Sequence, residues 1–138
     1  MDEETTTMTM NDPPVQASIA PWMAVSDGAK AVEYYGNALG AVERYRLEDD
    51  HGRVAVARLE VGGAAFWVQE DVDGSPKPGG ARPIRIVVSV EDPDALFGRA
   101  IAAGAKQVAP VTEEHGWRAG RVTDPFGHDW EFARPVTT

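Results

Sequence analysis

The strongest constraint on the fold is an internal repeat. Val25-Ser26-Asp27 recurs in altered form as Val90-Glu91-Asp92, 65 positions later. Ala38-Leu39-Gly40-Ala41 recurs as Ala102-Ala103-Gly104-Ala105, 64 positions later. A repeat with this period predicts two copies of one supersecondary unit, packed against each other to share a core.

A third landmark keeps the same spacing. The segment 63–67 (GAAFW) corresponds to 127–131 (GHDWE), again 64 positions later. Two similar half-sheets that face each other form a cleft. Residues at equivalent positions of the two halves are then expected to converge on one site.

Length and composition indicate a globular protein. The chain has 138 residues, which suits one domain, with 43% hydrophobic and 25% charged residues. It contains no apolar run of the roughly 20 residues that would span a bilayer. It also lacks a basic segment followed by an apolar stretch, so no signal peptide is predicted and the expected location is the cytoplasm.

Charge and cysteine content exclude several classes of function. Thirteen Lys and Arg against 22 Asp and Glu give a net charge of −9, which disfavours nucleic acid as a partner. The same charge would favour a cationic ligand, or would serve only solubility. The absence of cysteine excludes disulfides and thiolate metal sites.

Composition shifts divide the chain. Residues 1–17 are Thr-rich and acidic without a hydrophobic period, which predicts a disordered tail. One domain is expected over 18–135. It divides into modules 18–70 and 83–135, joined by a Gly- and Pro-rich linker over 71–82.

The sequence of each module predicts secondary-structure elements in the order βαβββ. Asp27 and Asp92 are expected to cap the two helices, and Gly40 and Gly104 to end them. Pro93 suits the first position of the second helix. Period-2 patterns and turn residues predict strands at 18–25, 42–47, 53–61, 64–69, 83–90, 107–111, 116–123 and 129–133. The fold class is therefore α+β, with each helix covering one face of its sheet and the other face left free.

Several local sequences suggest a known family. Val25-Ser26-Asp27 precedes a helix that contains Glu33-Tyr34-Tyr35 and ends at Leu39-Gly40-Ala41. Later come Gly116-Trp117-Arg118 and the distinctive run 124–131 (DPFGHDWE). Over about residues 18–135 the chain resembles the vicinal oxygen chelate superfamily of glyoxalases, extradiol dioxygenases, fosfomycin-resistance enzymes and bleomycin-binding proteins. It looks most like the single-domain bleomycin-resistance-like and PhnB-like members, which implies a cleft-shaped mixed sheet.

The resemblance also implies where a metal would be bound. Metal-binding members place ligands on the first, fourth, fifth and eighth strands. Counting seven residues back from each capping Asp, and using the residue after the 124–127 turn with its repeat partner, gives Ala20, Trp67, Arg85 and Glu131. Of these four residues, only Glu131 has a side chain that can coordinate a divalent metal ion, and Arg85 is a permanent cation. The prediction is a degenerate metal site in which Arg85 replaces the metal charge and pairs with Glu131, so no cofactor is predicted.

Strand alternation identifies residues that could line the cleft. Trp22 and Trp67 would present flat surfaces, with Gln69 on the same face as Trp67. Phe66 and Trp130 should face the helices instead. Trp117 and Arg118 would lie at the cleft mouth or only shape a hairpin. The predicted ligand-binding set is Trp22, Trp67, Gln69, Arg85, Trp117, Arg118 and Glu131.

The histidines give no alternative metal site. His51, His115 and His128 each lie in or beside a predicted turn, and none occupies a family ligand position. His128 is expected to form hydrogen bonds locally.

Two functions remain open at the level of sequence. The first is a metal-independent, dimeric protein that binds an aromatic or cationic small molecule, as the resemblance to bleomycin-resistance proteins implies. The second is a glyoxalase-like lyase or isomerase, or a dioxygenase relative, with a divalent metal. The residues do not decide whether the protein is an enzyme, nor whether the free sheet faces serve only homodimerisation, and Arg85 with Glu131 could be purely structural.

Overall fold

A computed structural model describes residues 18–71 and 84–136. The predicted tail at 1–17 and all but the first residue of the predicted linker at 71–82 lie outside these ranges. The described chain contains two βαβββ units, so the predicted α+β fold class is confirmed. The first comprises β1 (Trp22–Val25), α1 (Gly28–Leu39), β2 (Val42–Glu48), β3 (Val54–Val61) and β4 (Ala64–Glu70); the second comprises β5 (Arg85–Ser89), α2 (Pro93–Ala102), β6 (Lys106–Glu114), β7 (Trp117–Thr123) and β8 (Asp129–Pro135).

The two sheets have the same topology. Their strand orders are β1-β4-β3-β2 and β5-β8-β7-β6. In each sheet the first strand pairs in parallel with the last, and the other neighbours are antiparallel. Equivalent strands thus occupy equivalent places, which confirms that the sequence repeat is a structural one.

The helices begin where the sequence predicts. The Asp27 carboxylate accepts a hydrogen bond from the Lys30 amide at 3.0 Å, and the Asp92 carboxylate accepts one from the Ala95 amide at 3.1 Å. Each bond satisfies an amide that has no partner within the helix. Gly40 ends α1 in the left-handed region, with φ of 69°.

Aromatic side chains from both modules build one core. The Tyr35 ring lies 5.3 Å from Phe66 and 5.5 Å from Trp130, and the Phe66 and Trp130 rings are 5.4 Å apart. Phe66 and Trp130 are buried, as alternation predicts. Helices α1 and α2 also pack against each other, so both modules contribute to a single hydrophobic interior.

A buried carboxylate organises the predicted turn at 124–127. Asp124 accepts hydrogen bonds from the Tyr35 hydroxyl at 2.5 Å and the Trp130 indole N–H at 2.8 Å. It also accepts bonds from the amides of Phe126 and His128. Burial first, and the neighbouring Asp124 charge second, raise the pKa of Tyr35 well above its ordinary value, so its hydroxyl stays protonated as a donor.

Strand lengths differ from the prediction, most of all at β1 and β6. The first strand is shorter than expected and begins at Trp22, so Ala20 lies before it. Strand β6 is longer and continues through Thr112 to Glu114. This extension carries no apolar alternation, since its side chains are exposed, and is fixed instead by pairing with β7.

Candidate functional site

The first sheet presents an aromatic row on the face away from the helices. Trp22, Trp67, Arg58 and Tyr45 are consecutive register partners across its four strands. The Trp22 and Trp67 rings stack with centroids 5.4 Å apart and 23° between their planes, and Tyr45 meets the edge of Trp67. Trp22 remains 55% exposed. Trp22 and Trp67 thus lie on the free face, as predicted, and the Trp22 ring exposes apolar aromatic surface there.

Gln69 holds this surface in place. Its side-chain oxygen accepts a hydrogen bond from the Trp22 indole N–H at 2.9 Å. Stacking on Trp67 fixes one side of the Trp22 ring and this bond fixes its edge. A ring held in this way loses little rotamer freedom when a ligand covers it, which favours binding.

The second sheet presents charged groups on its free face. The Arg85 Nε donates to Glu131 Oε1 at 2.8 Å, so the predicted ion pair is present. Arg121 on β7 is the register partner of Glu131 on its other side. Glu131 therefore lies between two guanidinium-bearing strands.

The four family ligand positions do not suit a divalent metal. Ala20 has no ligand atom, Trp67 offers only an N–H, and Arg85 repels a cation. Glu131 has the right chemistry, but one of its oxygens accepts a bond from Arg85. Within 18–71 and 84–136, no group of three or more His, Asp or Glu residues is placed to hold an ion. The donor set thus does not fit the metal that the superfamily often uses.

Trp117 and Arg118 point to opposite sides of β7. Trp117 is 47% exposed and lines a cavity on the free face with Arg85 and Glu131. Arg118 contacts the helix side, where it donates to both oxygens of Asp94 in α2 at 2.6 and 2.5 Å, and to Glu113 at 3.2 Å. These bonds hold the pKa of Asp94 below its usual range. The structure thus brings Trp117, but not Arg118, together with the other predicted residues.

His128 links the two modules. Its Nε2 lies 2.7 Å from the Ala24 carbonyl oxygen, and because a carbonyl only accepts, this nitrogen carries the proton. Its amide bonds Asp124 locally, as expected, but its ring reaches the other module. The ring thereby fixes β1, which carries Trp22, against the second module.

Two cavities meet at Arg85. One, of about 540 Å³, lies along β1 and β5 and is lined by residues that include Trp22, Val87 and Asp129. The other, of about 480 Å³, lies on the second sheet and includes Trp117, Arg121 and Glu131. Arg85 lines both. Arg121 was missed by sequence reasoning, although alternation from Trp117 through Ala119 places it on the same face.

Two duplicated modules with open-faced sheets define the class of protein. This architecture is that of the glyoxalase/bleomycin resistance/dioxygenase, or vicinal oxygen chelate, superfamily. The chain belongs to the glyoxalase-like domain family, whose model matches residues 22–133. The resemblance to this superfamily that was inferred from the sequence is thereby confirmed.

Relatives agree with this assignment. Protein Rv0887c of Mycobacterium tuberculosis is 35% identical over 138 residues, covering 94% of this chain and 79% of that protein. TioX from Micromonospora sp. ML1 superposes with a TM-score of 0.71 at 30% identity, over 88% of this chain and 100% of TioX. The fosfomycin resistance protein FosX from Listeria monocytogenes gives a TM-score of 0.69 at 18% identity, over 89% and 96% of the two chains, and shows the shared fold alone.

Neither helix of the described chain has the length and apolarity needed to cross a membrane.

Proposed function

We propose that the protein is a metal-independent small-molecule-binding protein that sequesters a planar aromatic compound. The observation that carries the proposal is the exposed Trp22–Trp67 stack, held by Gln69 at a place where metal-binding members of the family supply ligands. Exposed aromatic residues on a preorganised surface favour ring stacking. The proposed type is bleomycin-resistance-like or PhnB-like, acting in the cytoplasm.

Metal independence rests on the donor set of this chain and not on its fold. FosX has been solved with Mn(II) and a dihydroxypropylphosphonic acid, so a protein with this fold holds a metal. The corresponding positions here supply one carboxylate, and that carboxylate is bonded to a guanidinium. An arginine at this place supplies positive charge without a metal.

A homodimer is part of the proposal. Large apolar side chains remain exposed on the free faces of both sheets, among them Trp22, Val87 and Trp117. Patches of this kind mark binding or association surfaces. A second copy that covers part of them would deepen the two open cavities around a ligand.

Fluorescence titration with uncharged planar dyes tests the proposal. Saturable quenching of tryptophan emission is expected, together with an affinity loss of about tenfold or more in Trp22→Ala, because the stacking surface is removed. Calorimetry on the same samples gives an affinity that does not depend on the lost fluorophore. The matched control is Val108→Ala, which trims an exposed apolar side chain on β6 that lines neither cavity.

Saturable binding with the same affinity in Trp22→Ala would show that Trp22 is not part of the binding site and would contradict the proposal. The oligomeric state is measured by sedimentation in the same buffer. A monomer at every concentration, with and without dye, would contradict the dimer.

A further inference from the structure

Arg121 differs from the other arginines of the described chain. Each of the other eight has a hydrogen bond or ion pair: to a carboxylate for Arg44, Arg46, Arg53, Arg58, Arg85 and Arg118, and to a backbone carbonyl for Arg99 and Arg134. Arg121 has neither among the described residues, although it is half-buried. A half-buried guanidinium without a protein partner is completed either by water or by an anionic ligand.

The carboxylates near Arg121 bond other groups. The neighbouring carboxylate, Glu131, is bonded to Arg85 at 2.8 Å. The other acidic residue that lines this cavity, Glu114 on β6, pairs in register with Trp117 and so lies beside the end of β7 that is distant from Arg121. Trp117 and Arg121 are four residues apart on one strand, about 13 Å between Cα atoms. Arg121 is therefore the guanidinium in this cavity to which no carboxylate of the described residues is bonded.

The space between Trp117 and Arg121 suits a flat molecule. Ala119 lies between them on the same face of β7, and Ala109 lines the cavity from β6. Because these side chains are small, they leave room for a ligand above the sheet. The exposed Trp117 ring gives a stacking surface at one end of the cavity. At the other end, the Arg121 guanidinium can donate to both oxygens of a carboxylate.

From this arrangement we propose that the second-sheet cavity binds an aromatic carboxylate, with its ring on Trp117 and its carboxylate on Arg121. The inference rests on the proposed small-molecule binding and adds an anionic group to the ligand class. It differs from the cationic ligand that the net charge of −9 favours, because the guanidinium of Arg121 has no bonded carboxylate among the described residues and can take one from a ligand.

A pair of matched probes tests the inference. 2-Naphthoate and 2-naphthamide have the same ring system, but only the first carries a negative charge. Calorimetric titration of the full chain is expected to give about tenfold or more tighter binding of 2-naphthoate. Arg121→Gln should abolish this preference while leaving the amide affinity within about twofold.

The control is Arg44→Gln, which removes the same charge from an exposed arginine on β2 and should keep the preference. Arg121→Lys serves if the glutamine variant does not fold, and a reduced preference is then expected because the two-oxygen contact is lost. Equal affinities in the wild type, a preference that survives in Arg121→Gln, or no binding of either probe by about 1 mM would each overturn the inference. Uncharged dyes that still bind through Trp22 in such a case would leave the proposed function standing.

Discussion

One buried residue, Asp124, accepts hydrogen bonds from residues of both modules. It is 4% exposed and accepts four hydrogen bonds, one of them from Tyr35 in the other module. An ionised carboxylate inside a protein is tolerated when donors of this number surround it. The Asp124 side chain thus helps to fix the 124–127 turn relative to helix α1, together with the packing of Phe126 on Tyr34 and Tyr35.

Tyr35→Phe should lower the free energy of unfolding by about 1.5–3 kcal/mol, because Asp124 loses a charge-assisted bond while the ring packing is kept. Urea denaturation measures the change. Tyr45→Phe is the matched control, since Tyr45 is exposed and no hydrogen bond of its hydroxyl is seen within the described chain. Equal losses in the two variants would show that the Asp124 bond is not the cause.

The side-chain environment of several site residues could be predicted from the sequence. Alternation placed Trp67 on the free face and its neighbour Phe66 in the core, and the repeat extended this to Glu131 and Trp130. Alternation already puts Arg118 on the face opposite Trp117, but its ion pair could not be predicted, because its partner Asp94 is distant in sequence and is brought near only by packing of α2 on β7.

At the scale of elements, helix α1 depends on a residue without a side chain. A Cβ built on Gly28 would lie 2.2 Å from the Val54 carbonyl oxygen on β3, which is backbone and cannot turn aside. The Gly28 amide also donates to Glu70 at the end of β4. The start of α1 therefore approaches its sheet more closely than any other residue type allows.

Gly28→Ala is expected to destabilise the protein by about 1–3 kcal/mol, since the helix must shift away from β3. Gly36→Ala in the same helix is the control. Its added Cβ would have no neighbour closer than 3.7 Å, so the usual gain of about 0.5–1 kcal/mol for alanine in a helix should appear. Thermal unfolding of both variants checks the opposite signs. A stabilised Gly28→Ala would refute the close contact.

Element boundaries were predictable where a cap or a turn marks them and not elsewhere. Asp27, Gly40 and Asp92 bound the helices as their chemistry requires. The end of β6 carries Thr112-Glu113-Glu114, which has no apolar period, so only its pairing with β7 defines it.

At the scale of the whole molecule, we expect the protein to retain no divalent metal ion. After incubation with excess Zn²⁺ or Mn²⁺ and dialysis, elemental analysis should find well below one equivalent per chain, because Arg85 lies beside the one family-position carboxylate. Retention of about one equivalent that is lost in Glu131→Ala would overturn the proposal and support the metal-dependent enzyme.

The shared aromatic core has a consequence for how the two modules fold. Tyr35 and Phe66 of the first module pack against Trp130 of the second, and Asp124 completes the contact. Either half alone would expose these rings and strand a carboxylate in an apolar surface. We therefore expect that neither module folds alone and that the two unfold together in one cooperative transition.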